Sequence, residues 1–508
     1  MNTKAPKTAI SPTRAENYNE WYQKIVRASD IAELSGVRGC QILKAWGYGT
    51  WEQMQHDLDR RFKDTGHENY YFPLYIPLSY FQREADHVEG FAKEMAVVTH
   101  HRLTKNADGK LVPDGELEEP LIIRPTSETI IGESMSKWIQ SYRDLPLLLN
   151  QWANVSRWEM RPRILLRTAE FLWQEGHTAH ETKDDAMYET KQMLEVYRAF
   201  CEEVLAVPVI TGEKIAAERF PGAVNTYCIE AMMQDGRALQ AGTSHYLGHS
   251  FAKACNIQFQ SRTGSLDYVH TTSWGVSTRL LGALVMTHGD DNGMKMPPRV
   301  APYQVVIIPI LREDSPKDEI MTACEKLKAD LLNETLEGTP LRVKVDARDI
   351  QSSEKRWDWI KKGAPLIVEI GAKDIASGKV CVTRRDKLED GKRFDERGTF
   401  VGNIGLELAT IQQALFDTAA AFRASRLVSN IKDWAAFEAY FSKDEDGGFT
   451  GGQGFIRAKW CGDETSLAKL DVLGVTVRCI PFDQDGREGV CVLTGKPATL
   501  DVIFARAY

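Results

Sequence analysis

The sequence predicts a multidomain chain mixing α/β and α+β architecture. An antiparallel-sheet domain is expected over residues 1–300, a three-layer α/β domain over 301–413 and an α+β module over 414–508. Three observations carry this. Within residues 150–177 every second side chain shares a face of an extended backbone, and Pro162 interrupts the run as the tip of an antiparallel hairpin would. Met296-Pro297-Pro298-Arg299-Val300-Ala301-Pro302 is a proline-rich break. Beyond it, apolar runs at 305–309, 341–345 and 366–370 alternate with helix-patterned stretches at 317–332 and 354–361, the order of parallel strands covered by helices.

Taken in order, residues 1–16 read as a polar arm and 17–32 as a helix, followed by a glycine-punctuated, strand-like stretch. Trp51, Met54, Leu58 and Phe62 then recur near the helical period behind Thr50, a candidate cap. Residues 70–77 form an aromatic strand interrupted by proline, which suits an edge or an interface. Residues 94–125 read as strand, turn at Asp108-Gly109, and strand. Thr126 and Glu128, two apart, share one side of an extended backbone, although spacing alone favours a helix cap before 129–142.

In the hairpin, Arg157 and Glu159 share one face, and Arg167, Phe171, Trp173, Glu175 and His177 share a face of the returning run. A half-buried strand would ordinarily carry aliphatic residues there, and so many charges left unpaired would cost several kcal/mol. A polyvalent ligand with phosphates and a base is the natural partner, because guanidinium forks suit phosphates and aromatic rings suit bases. A surface hairpin laced with salt bridges is the structural alternative.

A helix follows at 182–205, then a strand at 207–211 and a stretch at 238–248 that carries Gln240, Thr243, Ser244 and His245. His245 in the last would more often be a satisfied core histidine than a catalyst. Residues 268–274 read as a strand, Gly275 as its break and 276–287 as a nearly apolar helix. Arg279 lies in that helix's first turn, where the macrodipole disfavours a cation, so an anionic ligand or a buried ion pair should meet it. In the last module a helix at 414–428 and a glycine-rich turn at 447–454 precede Cys461, Cys479 and Cys491, which could suggest zinc.

With 508 residues, 43% hydrophobic and 26% charged, the chain is an ordinary globular protein too long for one core. Its net charge of −8 argues against a basic coat for indiscriminate polyanion binding, while leaving local arginine clusters free to act over a Debye length of roughly 8–10 Å. Nine cysteines without a C-x-x-C pair read as reduced thiols. The N-terminal stretch lacks the apolar core of a signal peptide, and no segment approaches the ~20 apolar residues of a membrane span. A cytoplasmic protein without membrane attachment is expected.

Arg157-Trp158-Glu159 followed by Arg167-Thr168-Ala169-Glu170-Phe171 resembles motif 2 of class II aminoacyl-tRNA synthetases, and LRTAEFLWQEGHTAH is similar to prolyl-tRNA synthetases in particular. Residues 124–129, RPTSET, resemble that family's proline-recognition loop, and 272–279, TSWGVSTR, resemble motif 3. Residues 240–245, QAGTSH, are similar to a segment lining the amino-acid and adenosine pockets. The resemblance implies a class II catalytic domain over 1–300, an anticodon-binding domain over 301–413 and a C-terminal zinc-binding-like domain over 414–508. It also implies an ATP-dependent proline–tRNA ligase that needs Mg2+ and pairs as a homodimer through motif 1, with Pro73 as that motif's proline.

Arg157 and Arg279 would be catalytic. ATP would meet Arg157, Glu159, Arg167, Phe171, Gln240, Thr243, Ser277 and Arg279. Proline would meet Thr126, Glu128, Arg157, Trp173, Glu175, His177, His245, Ser273 and Gly275. Lys355, Arg356, Lys362, Glu369, Arg384 and Arg385 are candidate contacts for the anticodon of tRNA(Pro). About a hundred residues between motifs 2 and 3 leave little room for an editing insertion, as in the archaeal and eukaryotic type. The family's C-terminal domain uses two cysteine pairs. Here Ser466 and Thr494 stand where pair members are expected, so structural zinc is not expected. Ala507-Tyr508 resembles a terminus that points back to the catalytic domain. Another class IIa synthetase (threonyl, histidyl or glycyl) and a non-catalytic RNA-binding relative are the rival readings.

Overall fold

The computed structural model describes residues 8–82, 94–442 and 453–508. Most of the glycine-rich turn at 447–454 lies outside them, as do residues 1–7 of the N-terminal arm. The rest of the arm is anchored: Ile10 is buried in the main core, and Arg14 binds Asp291, Gln234 and the Gly289 carbonyl.

The first region runs α1 (Tyr18–Ala28), β1 (Ala32–Leu34), β2 (Gln41–Leu43), α2 (Ala45–Asp64), β3 (Glu68–Asn69), β4 (Tyr75–Pro77), β5 (Ala96–Lys105), β6 (Leu111–Ile123), α3 (Glu128–Trp138), β7 (Leu147–Ser156) and β8 (Glu170–His180). It continues with α4 (Lys183–Ala199), β9 (Val209–Glu213), β10 (Asn225–Met232), β11 (Ala238–Gly248), β12 (His270–Ser277) and α5 (Arg279–His288). The apolar stripe of α2 is buried as its period requires. Its cap is not Thr50, which lies inside the helix and donates to the Trp46 carbonyl. Proline breaks the 70–77 run, so that only β4 pairs, with β6. Gly275 is no break: β12 continues through it, paired on both sides with Thr243 and Glu175.

The second region contributes β13 (Val305–Pro309), α6 (Lys317–Leu331), β14 (Val343–Val345), α7 (Ser352–Lys362), β15 (Leu366–Ile370), β16 (Lys379–Arg384), β17 (Arg393–Glu396) and α8 (Arg397–Arg426). Strands β14, β13 and β15 are parallel, and β16 and β17 add antiparallel partners. The proline-rich break before it is no loose linker. Val300 and Ala301 are buried, and the Arg342 guanidinium binds the carbonyls of Pro298, Arg299 and Ala301. The boundary expected between 413 and 414 falls inside α8, a single 30-residue helix.

The last module adds β18 (Leu427–Val428), β19 (Phe455–Trp460), β20 (Thr476–Pro481) and β21 (Leu500–Ala505). It does not stand apart. Among the described residues an 11-stranded sheet runs β18-β19-β21-β20-β9-β10-β11-β12-β8-β7-β3, so β20 extends the first region's sheet by pairing with β9. The terminus follows it: the Tyr508 hydroxyl donates to Asp235, and its ring lies 4.6 Å from the Arg163 guanidinium at the hairpin tip.

Candidate active site

The antiparallel register assembles a polar face. Gln151 on β7 faces Glu175 on β8, Glu175 faces Gly275 on β12, and Gly275 faces Thr243 on β11. His177, Ser273, His245 and Thr226 form the parallel row on β8, β12, β11 and β10. The opposite face is core, where Trp274 packs against Phe62 and Tyr197. Gly176 is needed there, because a Cβ would lie 2.1 Å from the Trp274 ring. Gln240 and Thr243 should lie on opposite faces by their spacing. A bulge between Ile229 and Glu230 shifts the register and brings Gln240 to the same side.

Above this face lies a cleft of about 290 Å³ lined by Thr126, Glu128, Arg157, Phe171, Trp173, Glu175, His177, Gln240, Thr243, His245, Ser273, Gly275, Ser277 and Arg279. A hollow of about 250 Å³ shares Arg157, Phe171, Ser277 and Arg279 with it and adds Glu94, Glu159 and Arg167. Arg157, Phe171 and Arg279 therefore surround common space. The hairpin face was only partly legible: β7 ends at Ser156 and β8 starts at Glu170, so Arg157, Glu159 and Arg167 are placed by the loop between them. Proline and the bridge between Arg163 and Arg167 turn that loop before the strand resumes.

At one end of the cleft, Glu175 accepts hydrogen bonds from Ser127 and from Gln151 (2.8 Å), and meets His177 Nε2 at 2.9 Å. Burial pushes the Glu175 carboxyl up, but His177, Ser127 and Gln151 outweigh it and hold it below the usual range. Burial likewise lowers His177, and Glu175, with help from Glu128, raises it above the ordinary imidazole value. Glu128 is the first residue of α3 and accepts the Thr126 hydroxyl, so the pair meets through a helix start rather than an extended strand. Buried Arg124 ties this loop to the carbonyls of Phe72 and Asn154. The Trp173 Nε1 and Ser273 Oγ atoms are buried without a hydrogen-bond partner. His245 is neutral, pushed down to about 3 by burial and His177.

At the other end two arginines donate to backbone carbonyls. Arg157 Nε donates to the Pro125 carbonyl, and its guanidinium lies 5.8 Å from the Phe171 ring and 5.6 Å from Trp173. Arg279 donates to the carbonyls of Leu166 (3.2 Å) and Gln240 (3.5 Å) and makes no salt bridge among the described residues. Burial, with repulsion from Arg167 and Arg157, lowers its pKa to about 10. The buried ion pair offered as an alternative for Arg279 is not what the fold builds.

Sequence reasoning missed Glu218, Arg219 and Phe220, which line the cleft from the loop after β9, with the Phe220 ring 4.7 Å from that of His245. It missed Ser127 and Gln151 too, whose work is visible only once Glu175 is seen between them.

Three of the anticodon candidates serve the interior instead. Lys355 is buried and donates to the Asp346 carbonyl. Arg385 is buried and forks onto Asp290, and Lys362 reaches Asp30, so both join the second region to the first. Arg384 is held by Asp386. Arg356 and Lys392 flank Glu369, whose Oε2 lies 3.7 Å from Arg356 Nε and 2.5 Å from Lys392 Nζ. Cys461 lies by Thr494, and Cys491 by both, whereas Cys479 hydrogen-bonds Cys228 elsewhere in the sheet and so is not part of that group. Ser466 accepts from Trp460 and donates to the Asp463 carbonyl. Among the described residues no three His, Cys, Asp or Glu side chains are grouped to hold a metal, and no helix is long and apolar enough to cross a membrane.

Comparison with known proteins agrees with this geometry. Residues 111–288 match the tRNA synthetase class II core domain (G, H, P, S and T), 304–396 the anticodon binding domain, and 449–508 the C-terminal domain of prolyl-tRNA synthetase. Fold and site thus define a class II aminoacyl-tRNA synthetase. The chain is 58% identical over 506 residues to the proline--tRNA ligase of Paramagnetospirillum magneticum and 54% identical over 509 residues to that of Protochlamydia amoebophila, each match spanning 100% of both chains. It is 55% identical over 503 residues to the proline--tRNA ligase of Bdellovibrio bacteriovorus, spanning 99% of each. The chain belongs to the prolyl-tRNA synthetase family. Membership removes the threonyl, histidyl, glycyl and non-catalytic readings. These relatives are bacterial, so they lend no support to an archaeal or eukaryotic assignment.

Proposed function

We propose that this proline–tRNA ligase joins proline to ATP as prolyl-adenylate, releasing diphosphate, and transfers the prolyl group to the 3' end of tRNA(Pro). The observation that carries the residue assignments is that Arg157, Phe171 and Arg279 share one cleft with Thr126, Glu128 and His177. The proline carboxylate attacks the α-phosphorus in line, a step that needs charge stabilisation more than covalent help. Arg157, between Phe171 and the proline end, meets the α-phosphate. Arg167 and Arg279 meet the outer phosphates or the adenine. Phe171 stacks the base and Glu159 accepts from its amino group. Mg2+ would supply further charge neutralisation on the phosphates, and the Glu94 carboxylate, which lines the hollow with Arg157 and Arg167, is a donor that would fit it.

At the proline end, Thr126 and Glu128 receive the secondary ammonium. Glu175 already holds Ser127, Gln151 and His177, so its main part is to fix His177 at the wall of the pocket. Trp173, His245, Ser273 and Gly275 shape the pocket. The architecture is of the short, insertion-free type, supported by the way α4 and β9 to β11 account for most of the chain between motifs 2 and 3. Arg356 and Glu369, with Lys392, are the anticodon contacts we retain. Exposed Tyr71, Tyr75 and Trp138 around the motif 1 strand support a homodimer there, and the family's work is cytoplasmic. An ATP–diphosphate exchange screen over the amino acids tests the whole reading: exchange with proline is expected, and none with proline would overturn it.

A further inference from the structure

We infer that Arg478, contributed by the C-terminal module, is a positioning residue for the nucleotide end of the cleft, so that this module is part of the ATP site rather than an appendage. The inference rests on the ligase reading above. Glu230 on β10 is completely buried, and its carboxylate is held by Lys214 at 2.8 Å and by Arg478 through contacts of 3.0 to 3.2 Å. Lys214 also donates to the Arg478 backbone carbonyl, which locks strand β20 against the first region. The Arg478 side chain crosses β9 to reach β10. Gly212 leaves room for this crossing of strands, since a Cβ there would come within 2.8 Å of Cys479 Cβ and 2.4 Å of the Ile480 carbonyl.

The triad lies on the substrate face, because Glu230 pairs with Gln240 across the bulge and follows Thr226 and Cys228 at the period of two. Gln240 lines the cleft, and its carbonyl holds Arg279. Two cations on one carboxylate leave a net positive charge beside Arg279 and Gln240. Without Arg478, Glu230 would keep only Lys214, the local charge would fall to neutral, and the bulged strand carrying Gln240 would lose its support. Both effects weaken polyphosphate binding, and neither touches the proline end.

The test is steady-state exchange kinetics on the full chain with Arg478→Lys and Arg478→Met, each with a thermal melt. Arg478→Met is expected to raise KM for ATP five- to twentyfold with KM for proline changed less than twofold, and Arg478→Lys to recover most of the loss. Unchanged KM for ATP in a folded Arg478→Met enzyme overturns the inference, as do parallel changes in both KM values. If Arg478→Met does not fold, Arg478→Gln decides: a rise in KM for ATP of twofold or more without one for proline supports the role, and unchanged values overturn it. Wild-type enzyme without proline-dependent exchange would instead refute the ligase reading, which keeps the two failures distinct.

Discussion

The two ends of the cleft are built on opposite principles. At the proline end a buried carboxylate is saturated by protein: Glu175 is matched by His177, Ser127 and Gln151. At the nucleotide end half-buried Arg157 and Arg279 and exposed Arg167 share one hollow, and Arg279, which makes no salt bridge among the described residues, donates to carbonyls and is repelled by Arg157 and Arg167. The first end has its central carboxylate already held by protein, which fixes the walls against which shape can be measured. The second gathers three guanidinium groups against the carboxylates Glu94 and Glu159, an excess of positive charge that suits the proposed polyphosphate.

The contrast can be broken most severely at Glu175. Glu175→Ala should destabilise the protein by about 3–5 kcal/mol, because His177 is left buried without its partner. A chemical denaturation midpoint within error of wild type would show that the proline end is not held as described. Arg157→Ala should lower the exchange rate by a factor of about 10 to 150, the equivalent of about 1.5–3 kcal/mol for a lost charge-assisted contact. Arg279→Met should lose activity comparably while its melting temperature holds or rises, since it removes a half-buried cation that is repelled by Arg157 and Arg167 and has no salt bridge among the described residues. Activity and stability would then move together at one end and apart at the other, and a marked fall in the stability of Arg279→Met would erase the distinction.

A pocket that selects by shape has a limit, since one methylene is worth only about 1–3 kcal/mol. Exchange with alanine and with cysteine should be measurable, and complete exclusion of both would contradict the pocket. The smallest effect is on pH. The lowered Glu175 contributes stability above its unfolded value of about 4.3, lost as pH falls through its folded value. The raised His177 contributes below its unfolded value of about 6.5, lost as pH rises through its folded value. Wild type should therefore exceed a Glu175→Gln/His177→Gln double variant most between about pH 4.3 and 6.5. A difference that keeps growing above that window would reverse the assigned shifts.

What the sequence revealed follows from the range over which each cause acts. Local period and punctuation sufficed for the hairpin around β7 and β8 and for the helix and strand order beyond Pro302. They failed where long-range partners decide. Gly275 looks like a break because nothing local shows that two strands flank it. Lys355, Lys362 and Arg385 look like surface cations until Asp346, Asp30 and Asp290 arrive from elsewhere in the chain. Gln240 was placed in the site by resemblance, yet its face depends on a bulge that alternation conceals. Loop residues such as Phe220 carry no pattern at all.

The merging of β20 onto β9 has a consequence for synthesis. Until about 480 residues have left the ribosome, the amide and carbonyl groups along that side of β9 have no covering strand, and an open strand edge is a template for pairing with another chain. Early termination ahead of β20 should thus yield a sticky, aggregation-prone fragment rather than a smaller working enzyme.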